Sequence, residues 1–162
     1  MNTPKVKYAR FRPSNPPSTV LFIGDRLGAL KQIGFAVQHA GHSVLWTESG
    51  HAGLRFVECE RPALIICEID VLDISGIDVC NAIRTAGYLC DVPIVLVGRP
   101  GHEMYDLPQA FAAGADEFFV SLSDRQLILA KLDWLLRQRN AFANRSNCGK
   151  PIERPGAANL NG

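Results

Sequence analysis

Residues 61–68 (RPALIICE) place five consecutive apolar side chains between an Arg-Pro pair and a carboxylate. A short apolar run with such boundaries predicts a strand that is buried on both faces, as in a parallel sheet. Glu68 then stands at the carboxyl end of this strand. Similar segments occur on both sides of it in the chain.

Four further strand candidates flank this segment, and helices are predicted between them. Each strand candidate is short, apolar and bounded by charged residues, Gly or Pro. The less apolar segment at 43–47 favours an edge position, and Ser123 with Gln126 fits a helix capping box. The strands are predicted at 19–23, 43–47, 63–67, 93–97 and 117–120, and the helices at about 27–40, 51–59, 76–86, 107–113 and 123–137.

This alternation of strands and helices predicts an α/β fold. Five such units form a doubly wound five-stranded parallel sheet, a (βα)5 arrangement of the flavodoxin-like type, because crossovers between parallel strands are right-handed. In such sheets the functional residues lie at the carboxyl ends of the strands. Residues that directly follow the predicted strands are therefore the first candidates for a site.

Composition divides the chain into an acidic middle and two basic ends. Its 162 residues are enough for one domain, and no apolar run approaches the ~20 residues of a membrane span. Residues 1–18 have a net charge of +4, residues 137–162 also have +4, and the segment between them has −7. Both ends are rich in Pro, Gly, Asn and Ser. We therefore expect a folded domain at 19–139, with disordered tails at 1–18 and 140–162.

The basic ends do not predict nucleic-acid binding or export. Their charges are scattered and lack an interleaved stacking platform, and no apolar segment typical of a secretory signal follows the first basic residues. The five cysteines are an odd number without a C-x-x-C pair, which favours reduced, mostly buried thiols over a zinc site. We expect a cytoplasmic protein without membrane contact.

The order and spacing of several segments resemble the receiver domain of bacterial two-component response regulators, the CheY-like family. The resemblance extends from about residue 19 to residue 139. It implies a phosphorelay signalling domain that works through protein partners and is not an enzyme. The matching segments are 20–25 (VLFIGD), 41–44 (GHSV), 61–69 (RPALIICEI), 75–84 (SGIDVCNAIR), 91–97 (DVPIVLV) and 112–120 (AAGADEFFV).

The acidic positions of this family are incomplete in the chain. The resemblance places the phosphoacceptor at Glu68, where the family has an aspartate, and the extra methylene disturbs the geometry of phosphoryl transfer. The family's acidic pair after the first strand is reduced here to Gly24 and Asp25. A bound Mg²⁺ is therefore not expected, although Asp25, Glu68 and the carbonyl of Asp70 are its weak candidates.

The remaining positions of the family also differ. Gly98 stands where the family has Ser or Thr, and Ser121 stands where it has the Lys that neutralises phosphoryl charge. Phe118 occupies the position of the switch aromatic, and we expect it to be packed in the core. Together these departures predict a degenerate pseudo-receiver that acts independently of phosphorylation.

Alternatives remain open for the pocket and for the function. Arg26 or Arg99 is expected to pair with Glu68 or Asp25 in a static ion-pair cluster, whereas Glu68 as a mimic of a phosphorylated aspartate is the second interpretation. The alternative functions are a weakly phosphorylated phosphorelay receiver, with Glu68 or Asp70 as acceptor, and a small-ligand-binding domain on a flavodoxin-like fold.

Protein–protein interaction is expected at the face that the family forms from its fourth helix, fifth strand and fifth helix, and a homodimer is one form of it. Pro108 predicts that the fourth helix is broken or begins late, at about Leu107. Trp134 is a candidate for an exposed dimer anchor.

Overall fold

The computed structural model describes residues 17–25, 27–87 and 91–147. They form one sheet of five parallel strands in the order β2-β1-β3-β4-β5, so the predicted doubly wound fold is confirmed. The strands are Thr19–Ile23 (β1), Ser43–Thr47 (β2), Leu64–Glu68 (β3), Ile94–Val97 (β4) and Glu117–Phe119 (β5). The helices are Ala29–His39 (α1), Gly50–Glu60 (α2), Gly76–Thr85 (α3), Glu103–Ala112 (α4) and Arg125–Asn147 (α5).

Both faces of the sheet are buried because the strand side chains alternate between two apolar clusters. In β3, Ile65 and Cys67 contact the cluster that includes residues of α2, α3 and α4. Leu64 and Ile66 contact the cluster that includes residues of α1 and α5. With its faces covered in this way, the sheet is accessible at its edges and at the loops that follow its strands.

The strand β2 forms one edge of the sheet, as its mixed composition predicts. The ring of Trp46 stacks on Phe22 of β1, with the ring centroids 4.9 Å apart. Gly34 of α1 makes room for this ring, since a Cβ at Gly34 would lie 2.8 Å from Trp46 Cζ3. The strand β5 forms the opposite edge.

The helix α4 begins earlier than Pro108 predicts. It starts at Glu103 and continues through Pro108, so the expected break or late start at about Leu107 is wrong. Proline at this position removes one N–H from the helix ladder and leaves the carbonyl of Met104 without its usual partner. Met104 is 89% exposed, so water can bond to that carbonyl and the helix can continue.

The helix α5 differs from the prediction at both ends. It extends to Asn147, so residues 140–147 belong to the helix and not to the expected tail. At its start, Oδ1 of Asp124 accepts the N–H of Leu127 at 3.1 Å, which makes Asp124 the capping residue in place of Ser123. The predicted tails at 1–16 and 148–162 lie outside the described residues.

Two of the three described cysteines are buried, and none of the three forms a disulfide. Cys67 and Cys80 lie inside the domain, whereas Cys59 is exposed on α2. Burial raises the pKa of the Cys80 thiol to about 11, so this thiol is protonated at neutral pH. Among the described residues, no helix is long and apolar enough to cross a membrane.

Candidate functional site

The candidate residues converge at the carboxyl edge of the sheet. The parallel register aligns Ile23 with Cys67 and Glu68 with Val97, so the strand ends of β1, β3 and β4 lie side by side. The edge therefore brings together the residues that the sequence singled out, namely Gly24, Asp25, Glu68, Asp70, Gly98, Phe118 and Ser121. We call this group the strand-end site.

The side chain of Glu68 lies directly over Gly24. Its Oε2 accepts the N–H of Asp25 at 2.8 Å. A Cβ built on Gly24 would lie 2.4 Å from Glu68 Oε2, and Gly24 has a φ of +148° that residues with a side chain rarely adopt. The carboxylate of Glu68 thus occupies the space that a side chain at position 24 would fill.

The environment of Glu68 favours its neutral form. Partial burial raises the pKa of this carboxyl, the hydrogen bond from the Asp25 N–H lowers it, and the neighbouring charges of Asp25 and Asp70 raise it again. The net direction is upward. Ionising this carboxyl is therefore less favourable in the folded chain than in water.

Arg99 pairs with a different acid from the predicted ones. Arg99 Nε lies 2.6 Å from Asp70 Oδ2, with both side chains about half exposed. The expectation that Arg99 pairs with Glu68 or Asp25 is wrong, because the short loop after β4 directs Arg99 toward the loop after β3. Arg26 lies outside the described residues.

Asp25 contributes to the local turn after β1. Its Oδ1 accepts the N–H of Leu27 at 2.7 Å, two residues along the chain, as aspartates commonly do in turns. One carboxylate oxygen in each of Asp25, Glu68 and Asp70 is therefore engaged by a protein group. Within the described part of the chain, no three His, Cys, Asp or Glu side chains are grouped so that they could hold a metal ion.

The ring of Phe118 fills the space beside Gly98. A Cβ at Gly98 would lie 2.3 Å from Phe118 Cζ. Phe118 is 7% exposed, which confirms the prediction that it packs in the core. The backbone at Gly98 is fixed by the adjacent strand, since its N–H donates to the carbonyl of Phe119 at 2.9 Å.

Ser121 lies in the turn between β5 and α5. Its Oγ is 2.6 Å from the Oγ of Ser123 and also accepts the Ser123 N–H at 3.2 Å. Lys131 of α5 does not replace the missing cation, because its Nζ pairs with Glu117 Oε2 at 2.9 Å and lies over the ring of Phe119. The position that follows β5 is therefore polar and uncharged.

Asp73 is a residue near the site that the sequence did not reveal. It belongs to the loop after β3 and caps the start of α2. Its Oδ1 accepts the N–H of Gly50 at 2.6 Å, and its Oδ2 accepts the Ser49 hydroxyl at 2.7 Å and lies 2.7 Å from His51 Nδ1. These contacts, led by the Ser49 hydrogen bond, hold the pKa of the Asp73 carboxyl well below its usual range. No local pattern predicts a cap that comes from more than 20 residues away.

Exposed apolar side chains cover the surface formed by α4, β5 and α5, which we call the α4–β5–α5 face. Leu107 and Phe111 are one helical turn apart on α4 and are 39% and 49% exposed. On α5, Leu127 and Trp134 are 54% and 57% exposed. These side chains form apolar stripes on the two helices that flank the open edge of the sheet.

Comparison with known proteins gives one consistent family. A family model described as the response regulator receiver domain matches residues 20–133. The chain is 31% identical over 124 residues to the transcriptional regulatory protein KdpE of Mycobacterium tuberculosis, covering 76% of this chain and 53% of that protein. It is 27% identical over 120 residues to the transcriptional regulatory protein AfsQ1 of Streptomyces coelicolor, covering 74% of this chain and 52% of that protein. The chain thus spans about half the length of these relatives.

Solved structures share the same fold. A two-component response regulator from Clostridium difficile superposes with a TM-score of 0.67 at 20% identity, over 76% of this chain and 98% of that chain. At this level of identity the match shows the fold alone, and it agrees with the five-stranded parallel sheet described above.

Proposed function

The chain belongs to the response regulator receiver domain family of two-component systems, and from this premise we propose that it signals without being phosphorylated. In this proposal the domain is a pseudo-receiver. Its output is a surface that a protein partner recognises. The strand-end site has a structural role and supports that surface. A cytoplasmic location is part of the same proposal.

The position of the Glu68 carboxylate carries this proposal. Phosphoryl transfer requires an acceptor oxygen in line with the breaking bond, and small displacements are costly. Oε2 of Glu68 is instead held by the Asp25 N–H over Gly24. The acceptor oxygen is therefore misplaced for in-line transfer.

The lack of stabilising groups supports the same proposal. A phosphoryl group on Glu68 would need a cation and a hydroxyl to balance its charge. Ser121 supplies no positive charge, and Gly98 supplies no hydroxyl. Among the described residues near the site, Arg99 is paired with Asp70. The product of phosphorylation would thus be poorly stabilised.

We also propose that the strand-end site holds no resident Mg²⁺. This ion prefers octahedral coordination by oxygen. A protein usually holds it through one or two carboxylates whose oxygens point at the ion. Here the turn after β1 engages Asp25, a backbone N–H engages Glu68, and a guanidinium engages Asp70. The donor set does not fit the ion, and no step of the proposed function depends on it.

We further propose that the α4–β5–α5 face binds a protein, with a second copy of this chain as the first candidate. Exposed aromatic side chains, such as Phe111 and Trp134, are typical of interface anchors. The strand β5 is an edge strand of the sheet, so this face includes an open strand edge. A symmetric pair of such faces would bury these side chains on both copies.

Intact mass measurement tests the absence of phosphorylation. The wild-type chain is incubated with acetyl phosphate and Mg²⁺, and we expect no phosphoryl adduct. A Glu68→Asp, Ser121→Lys variant, which restores the shorter acceptor and the cation, is expected to gain mass and serves as the matched control. Gly98 is unchanged in this control because the ring of Phe118 occupies the space beside it. A stable adduct on the wild type would show that the proposal is wrong.

A further inference from the structure

His42 is buried at the amino end of the sheet, opposite the strand-end site. The turn after α1 passes through Gly41, which has a φ of +91°, and the His42 N–H donates to the carbonyl of Val37 at 3.3 Å. The next residue, Ser43, begins β2. His42 is 5% exposed, so its ring nitrogens need hydrogen-bond partners from the protein or from buried water.

One hydrogen bond determines where the neutral His42 ring carries its proton. Nδ1 of His42 accepts the N–H of Ser18, the residue before β1, at 3.2 Å. Nδ1 is therefore unprotonated, and the single proton of the neutral imidazole is on Nε2. Nε2 is buried and has no hydrogen-bond partner among the described groups. The ring thus has a buried N–H donor that no described acceptor receives.

Asp133 of α5 is the complementary group. It is 4% exposed, its Oδ2 pairs with Arg137, and its Oδ1 is buried without a hydrogen-bond partner in the described part of the chain. Burial lowers the pKa of His42, and the nearby charge of Asp133 raises it by a smaller amount. A buried donor and a buried acceptor that lack partners therefore lie within electrostatic reach of each other. One buried water molecule or a small side-chain rotation would join them.

We propose that His42 and Asp133 form a proton-sensitive latch that holds the start of β1 and the helix α5 together. In the neutral state, Nδ1 of His42 accepts the Ser18 N–H and Nε2 donates toward Asp133. A proton taken up from solvent at Nδ1 replaces this acceptor with a second donor, so the Ser18 N–H loses its bond. The latch goes beyond the proposed function, because it gives the domain an input at the end of the sheet opposite the strand-end site.

Acid is expected to open the latch. Protonation strengthens the attraction of His42 to Asp133, but it buries a positive charge and breaks the bond to Ser18. The net direction is a lowered pKa of His42 in the folded chain. The stability that this histidine contributes is present above its unfolded pKa of about 6.5. It is lost as pH falls from there through the folded pKa.

The other charged and titratable groups around His42 are accounted for. On α5, Arg137 pairs with Asp133 and leaves that carboxylate one unpartnered oxygen. On α1, His39 is exposed, and its Nδ1 lies 2.8 Å from the carbonyl oxygen of Phe35. The flanking strand residues, Ser18 and Ser43, carry no charge. His39 is therefore a suitable control for the titration of His42.

NMR titration of the histidine rings tests the latch in the wild-type chain. We expect His42 to carry its proton on Nε2 at neutral pH and to titrate at lower pH than the exposed His39. The chemical shift of the Ser18 amide should follow the His42 titration, whereas that of the Ala86 amide, at the end of α3, should not. A His42 ring that titrates together with His39, or a Ser18 amide that does not respond, overturns the proposal.

The variant Asp133→Asn tests the acceptor. The carboxylate charge favours the protonated ring, so its removal should move the His42 titration to still lower pH. Glu60→Gln, which changes an exposed carboxyl on α2, is the matched control and should leave the titration in place. A His42 titration that is unchanged in Asp133→Asn would show that the two residues are not paired.

The variant His42→Asn tests the effect on stability. Asparagine can still accept the Ser18 N–H but does not titrate. Between about pH 7.5 and about pH 5.5, the unfolding equilibrium constant of the wild type should rise at least about threefold more than that of His42→Asn. His39→Asn should keep the wild-type rise. An equal rise in the wild type and in His42→Asn overturns the proposal, and if either buried-site variant does not fold, the wild-type titration decides.

Discussion

The two halves of the strand-end site place a glycine beside a large side chain, but they do so for different reasons. Near β1 and β3, Gly24 has a φ of +148° and lies under the carboxylate of Glu68. Near β4 and β5, Gly98 has an ordinary backbone and lies beside the ring of Phe118. The first half is constrained by backbone, charge and space together, whereas the second is constrained by space. The first half should therefore tolerate change less than the second.

The largest expected effect is that of Gly24→Ala. The added methyl meets Glu68 Oε2, and the left-handed backbone is strained for any residue but glycine, so we expect the free energy of unfolding to fall by about 3 kcal/mol. Chemical denaturation measures this change. The methyl group of Gly98→Ala would meet the movable end of the Phe118 ring. This substitution is therefore expected to lower the free energy of unfolding by a smaller amount.

Removing the neighbouring side chain sharpens the comparison. In a Glu68→Ala background the collision is absent, yet Gly24→Ala should still lower the free energy of unfolding by about 1–2 kcal/mol, because the backbone strain persists. If Gly24→Ala does not lower the free energy of unfolding in the Glu68→Ala background, space alone constrains both halves of the site. The proposed difference between the two halves is then wrong.

A smaller effect is expected from Glu68→Gln. The pKa of Glu68 is raised in the folded chain, so its stabilising contribution is present below the unfolded pKa and is lost as pH rises through the folded pKa. Glutamine keeps an oxygen for the Asp25 N–H but does not ionise. We expect the variant to be more stable than the wild type at neutral pH, by about 0.5 kcal/mol, and the difference to vanish in acid.

Denaturation curves measured across the acid and neutral range check this sign. Glu60→Gln, which changes an exposed carboxyl at the end of α2, is the control. A Glu68→Gln variant that is less stable than the wild type at neutral pH would contradict the unfavourable burial of this carboxylate.

The smallest effect on stability is expected from Trp134→Ala. Trp134 is 57% exposed, so the free energy of unfolding should change by no more than about 0.5 kcal/mol. If the α4–β5–α5 face forms a homodimer, its dissociation constant should rise at least about tenfold. Leu72→Ala, at a site that is 84% exposed and lies outside this face, is the control. Sedimentation measurements test this prediction. A wild-type chain that stays monomeric at every concentration would show that the homodimer does not form.

The sequence by itself determined the fold and the positions of the candidate residues. Apolar runs of four to five residues between breakers specify strands wherever they occur. β1 and β2 have the predicted bounds, β4 and β5 differ by one residue at one end, and β3 is shifted by one residue at both ends. Because parallel strands end at a common edge, the same pattern also predicted which residues meet there. These properties are local, or follow from topology, and need no knowledge of side-chain orientation.

The tertiary structure alone decided what those residues do to one another. Glu68 covers Gly24, Arg99 pairs with Asp70, and Asp73 caps a helix from the loop after β3. Each contact joins residues that are more than 20 positions apart in the chain, and each depends on a rotamer that packing selects. Local patterns carry no information about such choices, because a side chain's partner is set by the register and spacing of the elements around it. The sequence therefore located the site, and packing determined its contacts.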